Sequence, residues 1–168
     1  GAEIAWINDA TGDPDMHALL LEFDSVHGRW PAAFDWDDSS VTIDGTRLPF
    51  IGTSDLTALP LEGVDVVIDC TGKFKTEARL APYFEAGVKK VVVSAPVKDG
   101  GAANIVMGVN DPSYDPAQHR IVTAASCTTN CLAPVVKVIH EGLGIRHGSM
   151  TTIHDVTNTQ TIVDRPAK

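Results

Sequence analysis

The cysteine at position 127 follows a predicted strand and precedes residues 128–143, which are predicted to form a long helix ended by Gly144. A thiol at a helix N-terminus faces N–H groups without helical partners and the positive end of the helix dipole. Such a position, with a histidine nearby, lowers the pKa of a thiol from about 8.5 into the range ~3.5–7.5 and populates the thiolate nucleophile. The same N–H groups can stabilise an oxyanion on an attacked carbonyl. Cys127 is therefore predicted to be a catalytic nucleophile.

The neighbours of Cys127 distinguish this interpretation from that of a small buried hydrophobe, the commoner role of a lone cysteine. Ser126, Thr128 and Thr129 carry hydroxyls and Asn130 carries an amide. A core position rarely has so many small polar neighbours. The polar run therefore favours the functional interpretation.

His154 lies in a strand-like segment, residues 150–156, that follows the predicted helix. Placed beside the helix N-terminus, its imidazole would act as a general base for the thiol and then on a substrate oxygen. A surface histidine or a hydrogen-bonded core histidine is the better interpretation of His17, His119, His140 and His147, and His27 stays open.

Thr157 and Thr159 lie on one face of an extended segment and could contact a phosphate. Strand propensity explains the two threonines equally well, so their spacing alone leaves both interpretations open.

The hydrophobic pattern predicts strands that alternate with helices. The predicted strands cover residues 3–8, 64–70, 89–94, 104–109 and 120–124, and the other helices cover 15–23 and 76–86. A hairpin is predicted at 41–43 and 46–50, around the tight turn Asp44-Gly45.

Continuously apolar strands between helices are typical of a parallel sheet covered on both faces, which predicts a doubly wound α/β fold. Ligands bind beyond the carboxyl ends of the strands in such sheets. Three chemically distinctive spots each follow a predicted strand: Asp9, Thr71-Gly72 and Ser126-Cys127.

The composition is that of a globular protein, with 43% hydrophobic residues and a formal net charge of −9. That charge makes a nucleic-acid or anionic-membrane partner improbable. The chain has three cysteines, Cys70, Cys127 and Cys131. A small and odd number of cysteines argues against a disulfide framework and favours a reducing compartment, so a cytoplasmic location is expected. Cys131, one helical turn after Cys127, is interpreted as structural. No zinc site is predicted, because a second Cys or His pair at ligand spacing is missing.

The run S-C-T-T-N-C-L-A-P at residues 126–134 closely resembles the active-site signature of glyceraldehyde-3-phosphate dehydrogenases. Further segments match across nearly the whole chain, at residues 8–9, 23–30, 71–74, 93–96, 107–110 and 152–164. The resemblance implies a Rossmann-type NAD-binding domain at 1–126 and the start of an α+β catalytic domain at 127–168. The chain is expected to be a fragment, because the family's N-terminal strand and its glycine-rich loop would precede Glu3.

The resemblance also implies the site residues. Cys127 would attack the aldehyde and His154 would serve as the base. Ser126 and Thr128 match positions around the attacking-phosphate site, and Thr157 and Thr159 match the substrate-phosphate site.

The cofactor-binding residues implied by the resemblance are Asn8, Asp9, Thr71, Gly72, Phe74, Ser94 and Ala95. Asp9 would accept the adenosine ribose hydroxyls, which favours NAD over NADP, and Pro166 fits the same pattern.

The reaction implied is the NAD-dependent oxidative phosphorylation of glyceraldehyde 3-phosphate to 1,3-bisphosphoglycerate, in a cytoplasmic homotetramer. The form H-D-V-T-N-T-Q-T at residues 154–161 resembles a bacterial subgroup associated with arsenate resistance, in which the product would be 1-arseno-3-phosphoglycerate. Erythrose-4-phosphate dehydrogenase is a rival within the same chemistry. A nucleotide-binding fragment without turnover is the alternative from a different class, and the fragment itself is expected to be inactive.

Overall fold

The computed structural model of the protein describes residues 1–155 together with Asp164 and Pro166. The chain divides into two compact units, Gly1–Leu59 with His154–Lys168, and Pro60–Ile153. Within the described part of the chain, none of the helices has the length and apolarity needed to span a bilayer. The predicted domain boundary after residue 126 is a different division and stays a prediction.

In its described residues, the first unit combines one α-helix and a short 3₁₀ helix, Leu56–Ala58, with small antiparallel sheets. Its elements are α1 (Pro14–Glu22), β1 (Phe23–Asp24), β2 (Gly28–Arg29), β3 (Phe34–Asp37), β4 (Ser40–Ile43) and β5 (Thr46–Pro49). β1 pairs with β2, and β3-β4-β5 form a three-stranded antiparallel sheet. α1 lies closest to β3 and β4 and buries Ala18. The predicted helix at 15–23 is thus confirmed within one residue at each end.

The predicted hairpin is confirmed as β4 and β5. Asp44 and Gly45 both have positive φ, 49° and 79°, which is what a two-residue turn of type I′ requires. Val41 pairs with Leu48 across the hairpin and both side chains are buried. The turn sequence thus sets a register that sends these two residues into the core.

The strand predicted at residues 3–8 is wrong. Only an isolated parallel bridge joins Ile7 to Phe50, through hydrogen bonds of the Ile7 backbone to Pro49 and Ile51. Residues 1–5 are exposed and pair with no strand among the described residues. An apolar run forms a strand only where a partner strand accepts its hydrogen bonds, and here the partner ends after one residue pair.

The second unit contains a parallel four-stranded sheet. Its elements are β6 (Val66–Asp69), α2 (Glu77–Glu85), β7 (Lys90–Val93), β8 (Ala102–Asn104), β9 (Ile121–Thr123) and α3 (Cys127–Leu143). The strand order is β6-β7-β9-β8, and every pairing is parallel. The α/β class and the parallel sheet are therefore confirmed.

Capping residues mark both ends of α2. Thr76 accepts the N–H of Arg79 at the start of α2, and Gly87 with φ 98° follows its end. α2 buries Leu80 and Tyr83. On β6, Val67 is buried whereas Ile68 is 70% exposed, so cover on both faces of the sheet is not observed at this strand among the described residues.

Two further strand predictions are wrong. Residues 106–110 form a turn instead of continuing β8, because the Asn110 amide accepts the Val106 N–H and donates to the Asn104 carbonyl. Residues 150–155 are exposed and have no regular structure, since they pair with no strand in the part of the chain that is described.

Candidate active site

Three of the predicted site segments lie at one edge of the parallel sheet. β6, β7 and β9 are neighbours that run in the same direction. Thr71-Gly72 follow β6, Ser94-Ala95 follow β7 and Ser126-Cys127 follow β9. The carboxyl edge of a parallel sheet is where α/β proteins bind ligands. The expectation that each distinctive spot follows a strand is met for Thr71-Gly72 and Ser126-Cys127, whereas Asp9 follows no strand.

Cys127 is the first residue of α3, as the sequence predicts. Ser126 is the N-cap: its backbone is extended, with φ −110° and ψ 158°, and its Oγ accepts the N–H of Thr129 at 3.1 Å. The Ser126 hydroxyl also bonds the hydroxyls of Thr128 (3.1 Å) and Thr129 (2.7 Å). The small polar residues around Cys127 therefore form the cap of the helix.

The three cysteines are all exposed. The interpretation of Cys127 as a small buried hydrophobe is therefore wrong, because the side chain is open to solvent at the helix terminus. Cys131 is exposed as well, so the helix does not bury it as a core residue. It serves as a matched control for Cys127 in experiments.

A cleft of about 440 Å³ lies beside the N-terminus of α3. Ser126 and Thr129 contribute to its wall from the helix, and Pro96, Val97 and Lys98 contribute from the segment after β7. The cleft thus combines apolar surface, two hydroxyls and one ammonium group next to the predicted nucleophile. Apolar residues form most of its lining, and a few polar groups lie among them, which is the usual make-up of a ligand pocket.

His154 is exposed, and its Nδ1 lies 2.7 Å from the carbonyl oxygen of Asp155. It belongs to the first compact unit, whereas Cys127 belongs to the second. Their pairing therefore stays a prediction. Thr157 and Thr159, the predicted phosphate contacts, lie outside the described residues.

The Thr71-Gly72 loop is held by a carboxylate that the sequence analysis did not single out. Asp69, the last residue of β6, is buried, and its Oδ1 accepts the N–H of Thr71 at 3.0 Å and the hydroxyl of Thr71 at 2.7 Å. Its Oδ2 accepts the buried hydroxyl of Tyr83 at 3.1 Å. Burial and the Asp69 charge raise the pKa of Tyr83 well above its usual value. An acidic residue inside an apolar strand was the signal that could have revealed this group.

The two loops at this edge are also joined directly. The N–H of Ser94 donates to the carbonyl of Asp69 at 2.9 Å. Thr71, Gly72 and Ser94 are exposed, whereas Ala95 and Phe74 are half-buried. The two predicted cofactor loops are therefore held side by side at this edge of the sheet.

Asn8 and Asp9 have local partners. The Asn8 amide donates to the Thr53 carbonyl and accepts the Thr53 N–H, both at 3.0 Å. Asp9 Oδ1 accepts the N–H of Thr11 at 2.9 Å. Both polar ends of the Asn8 side chain are thus engaged with the backbone, while Asp9 is half-buried. Their cofactor contacts stay predictions.

Family models match both ends of this chain. Residues 1–77 match the model described as glyceraldehyde 3-phosphate dehydrogenase, NAD binding domain, and residues 126–168 match the model of the C-terminal domain of the same family. The chain belongs to the glyceraldehyde-3-phosphate dehydrogenase family. This membership confirms the resemblance and supports NAD as the cofactor and oxidoreduction as the activity class.

Curated relatives within the family align over 99% of this chain. Glyceraldehyde-3-phosphate dehydrogenase 3 of Nostoc sp. is 58% identical, and the enzymes of Priestia megaterium and Geobacillus stearothermophilus are each 44% identical. The alignment covers 50% of each of these relatives. The chain thus spans about half the length of the curated relatives it matches.

Proposed function

We propose that the whole protein is an NAD-dependent phosphorylating dehydrogenase that oxidises glyceraldehyde 3-phosphate to 1,3-bisphosphoglycerate. The observation that carries the proposal is the position of Cys127. It is exposed at the N-terminus of α3, on the same sheet edge as the Thr71 and Ser94 loops. A nucleophile and a hydroxyl-lined loop pair suited to a dinucleotide therefore share one edge.

The chemistry proposed for Cys127 is covalent catalysis. Its thiolate adds to the aldehyde carbon, and the carbonyl oxygen becomes the hydroxyl of a thiohemiacetal. Loss of a hydride from that carbon and of the hydroxyl proton leaves a thioester. Inorganic phosphate then attacks the thioester carbonyl, an acyl phosphate forms, and the thiolate leaves. The N–H groups of the first turn of α3 stabilise the oxyanion at each addition.

When bound, NAD would supply the acceptor for this hydride. Asp9 is proposed to bind the adenosine ribose hydroxyls. Other parts of the dinucleotide are proposed to contact six further residues: Asn8, Thr71, Gly72, Phe74, Ser94 and Ala95. The donor set fits, because these loops offer hydroxyls and backbone groups, and the Asp9 carboxylate suits paired hydroxyls.

His154 is proposed as the general base that removes the proton of the thiol and then that of the thiohemiacetal hydroxyl. Ser126 and Thr128 are proposed to contact the attacking phosphate. Thr157 and Thr159 are proposed to contact the phosphate of the substrate.

The decisive experiment compares two cysteines of one exposed helix face in the whole protein. Cys127→Ser should reduce kcat at least about 10³-fold, because an alcohol replaces the nucleophilic thiolate. Cys131→Ser is the matched control and should retain most of the activity. Full activity in Cys127→Ser would overturn the covalent mechanism. An absence of aldehyde oxidation in the wild-type protein would favour a nucleotide-binding role without turnover.

The substrate and the acceptor are tested by kinetics on the same preparation. We expect glyceraldehyde 3-phosphate to give a higher kcat/KM than erythrose 4-phosphate, and phosphate to support acyl transfer. Arsenate resembles phosphate in shape and charge and could act at the same position. A higher kcat/KM with arsenate than with phosphate would assign the arsenate-using variant instead. The whole protein is further proposed to be a homotetramer in the cytoplasm. Light scattering after gel filtration would test the tetramer.

A further inference from the structure

The residue before the N-cap of α3 has an unusual backbone. Ala125 has a φ of 56°, in the left-handed region, and only 9% of its surface is exposed. An L-residue with a Cβ is strained in this conformation, and glycine is its usual occupant. A strained residue persists only where its surroundings hold it in place, and such residues cluster at functional sites.

Thr123, the last residue of β9, provides that hold. Its Oγ1 accepts the N–H of Ala125 at 3.0 Å and donates to Oδ1 of Asn104 at 2.7 Å. Asn104 in turn donates through Nδ2 to the carbonyl of Val97 at 3.0 Å. Thr123 is completely buried, so its hydroxyl has no water to replace these partners. Three consecutive hydrogen bonds thus connect the segment after β7 to the turn before Cys127.

The opposite side of the turn is fixed by α3 itself. The amide of Asn130 donates to the carbonyls of Ala124 and Ser126, at 2.5 Å and 2.9 Å. Ala125 therefore lies between two restraints, one from the sheet and one from the helix. The angle at which the chain enters α3, and with it the direction of the Cys127 side chain, depends on the left-handed conformation between them.

We propose that Thr123 is a positioning residue for the chemistry of Cys127. Its buried hydroxyl, oriented by Asn104, keeps Ala125 left-handed and thereby holds the thiol at the N–H groups of the first turn of α3. Thr123 contacts neither substrate nor cofactor in this role. The inference rests on the proposed function, because it assigns a task to Thr123 only where Cys127 is the nucleophile.

Thr123→Val and Thr123→Ser separate the hydroxyl from the shape of the side chain. Valine keeps the β-branched shape and leaves the Ala125 N–H and Asn104 Oδ1 without the threonine hydroxyl. Serine keeps the hydroxyl and loses only the methyl group. The readout is the alkylation rate of each cysteine by iodoacetamide from pH 5 to 9 in the whole protein, measured by peptide mass spectrometry. Cys131 is the internal reference.

In the wild type, Cys127 should react faster than Cys131 near neutral pH. Thr123→Val should shift the pH profile of Cys127 upward and slow its alkylation at pH 7 about tenfold, as expected if the pKa of the thiol rises by roughly one unit. The rate at Cys131 should not change, and Thr123→Ser should restore the wild-type profile.

The outcomes distinguish the inference from the proposed function. Equal alkylation of Cys127 and Cys131 in the wild type would refute the activated thiol, and with it the proposed function. A reactive Cys127 that is unaffected by Thr123→Val would overturn the positioning role alone, as would a Thr123→Ser variant as slow as the valine variant. Should Thr123→Val not fold, Asn104→Ala tests the same link. It removes the acceptor of the Thr123 hydroxyl, and a slower Cys127 beside an unchanged Cys131 supports the inference, whereas an unchanged Cys127 overturns it.

Discussion

The turns after β6 and after β9 use the same local device with different chemistry. In each, a buried polar residue ends the strand and accepts the N–H of the residue two positions later, at 3.0 Å: Asp69 accepts from Thr71, and Thr123 accepts from Ala125. A residue with positive φ follows within three positions of that polar residue in both turns. After β6 it is Gly72, at 66°, and after β9 it is Ala125, at 56°.

The difference between the turns lies in how the left-handed residue is accommodated. Gly72 adopts its conformation without strain and has open space around the position of a Cβ. Ala125 is buried and strained, and hydrogen bonds hold it. The turn beside the predicted cofactor loop is thus built from a permissive residue, whereas the turn beside the predicted nucleophile is built from a restrained one. Restraint occurs where the direction of one side chain matters.

Among the variants that test this comparison, the largest loss of stability is expected when Asp69 is replaced. Asp69→Ala removes the acceptor of three hydrogen bonds and leaves the buried Tyr83 hydroxyl without its partner, so the free energy of unfolding should fall by about 3 kcal/mol. Thr123→Ala should cost about 1–2 kcal/mol, since a neutral hydroxyl is lost. Urea unfolding monitored by circular dichroism measures both. Equal losses of unfolding free energy in the two variants would show that the two turns depend equally on Asp69 and Thr123.

Tyr83 gives a second test, through pH. Its pKa is raised in the folded state by burial and by Asp69, above an unfolded value of about 10. The folded state therefore keeps the proton more tightly, and the resulting stability is complete below pH 10 and is lost as the pH rises above it. Tyr83→Phe should lower the stability at pH 8 by about 1 kcal/mol and make the alkaline decline less steep. Parallel declines in the two proteins between pH 9 and 11 would contradict this.

The smallest effects are expected at the left-handed residues themselves. Gly72→Ala should destabilise the protein by about 1 kcal/mol, because a Cβ at positive φ is strained even in open space. Ala125→Gly relieves strain but frees the unfolded chain, so its net change should stay within about 0.5 kcal/mol. Thermal unfolding of the two variants side by side is the measurement. A larger loss for Ala125→Gly would show that the methyl group, and not the backbone conformation, matters there.

The sequence predicted those elements whose signals are local. The hairpin was predictable because Asp44-Gly45 suits a turn with positive φ at both central residues, and α3 was predictable from its helical pattern and from Gly144. Cys127 was placed at a helix N-terminus because it lies between a predicted strand and that helical pattern, and the structure adds Ser126 as the N-cap.

Two of the three failed strand predictions share one physical cause, which is that pairing partners are not local, whereas the third failed because Asn110 makes local hydrogen bonds that turn the chain after β8. Residues 3–8 and 150–156 carry strand-forming side chains, but the hydrogen bonds of a strand depend on a neighbour that hydrophobic periodicity does not reveal. The roles of Asp69 and Thr123 were missed for a related reason. A polar residue at the end of an apolar strand looks like a boundary until the structure shows it to be buried and hydrogen-bonded.

The strand order carries a consequence for how the second unit assembles. β8 follows β7 in the chain but does not pair with it. The next strand, β9, lies between the two and pairs with both. Until β9 is in place, β8 has no neighbour in the sheet among the described residues. β9 ends at Thr123, four residues before Cys127, so the strand that completes the sheet also leads directly into the turn before α3. A reactive thiol at position 127 would then serve as a late marker of folding, because it would develop its character only after the last central strand had docked.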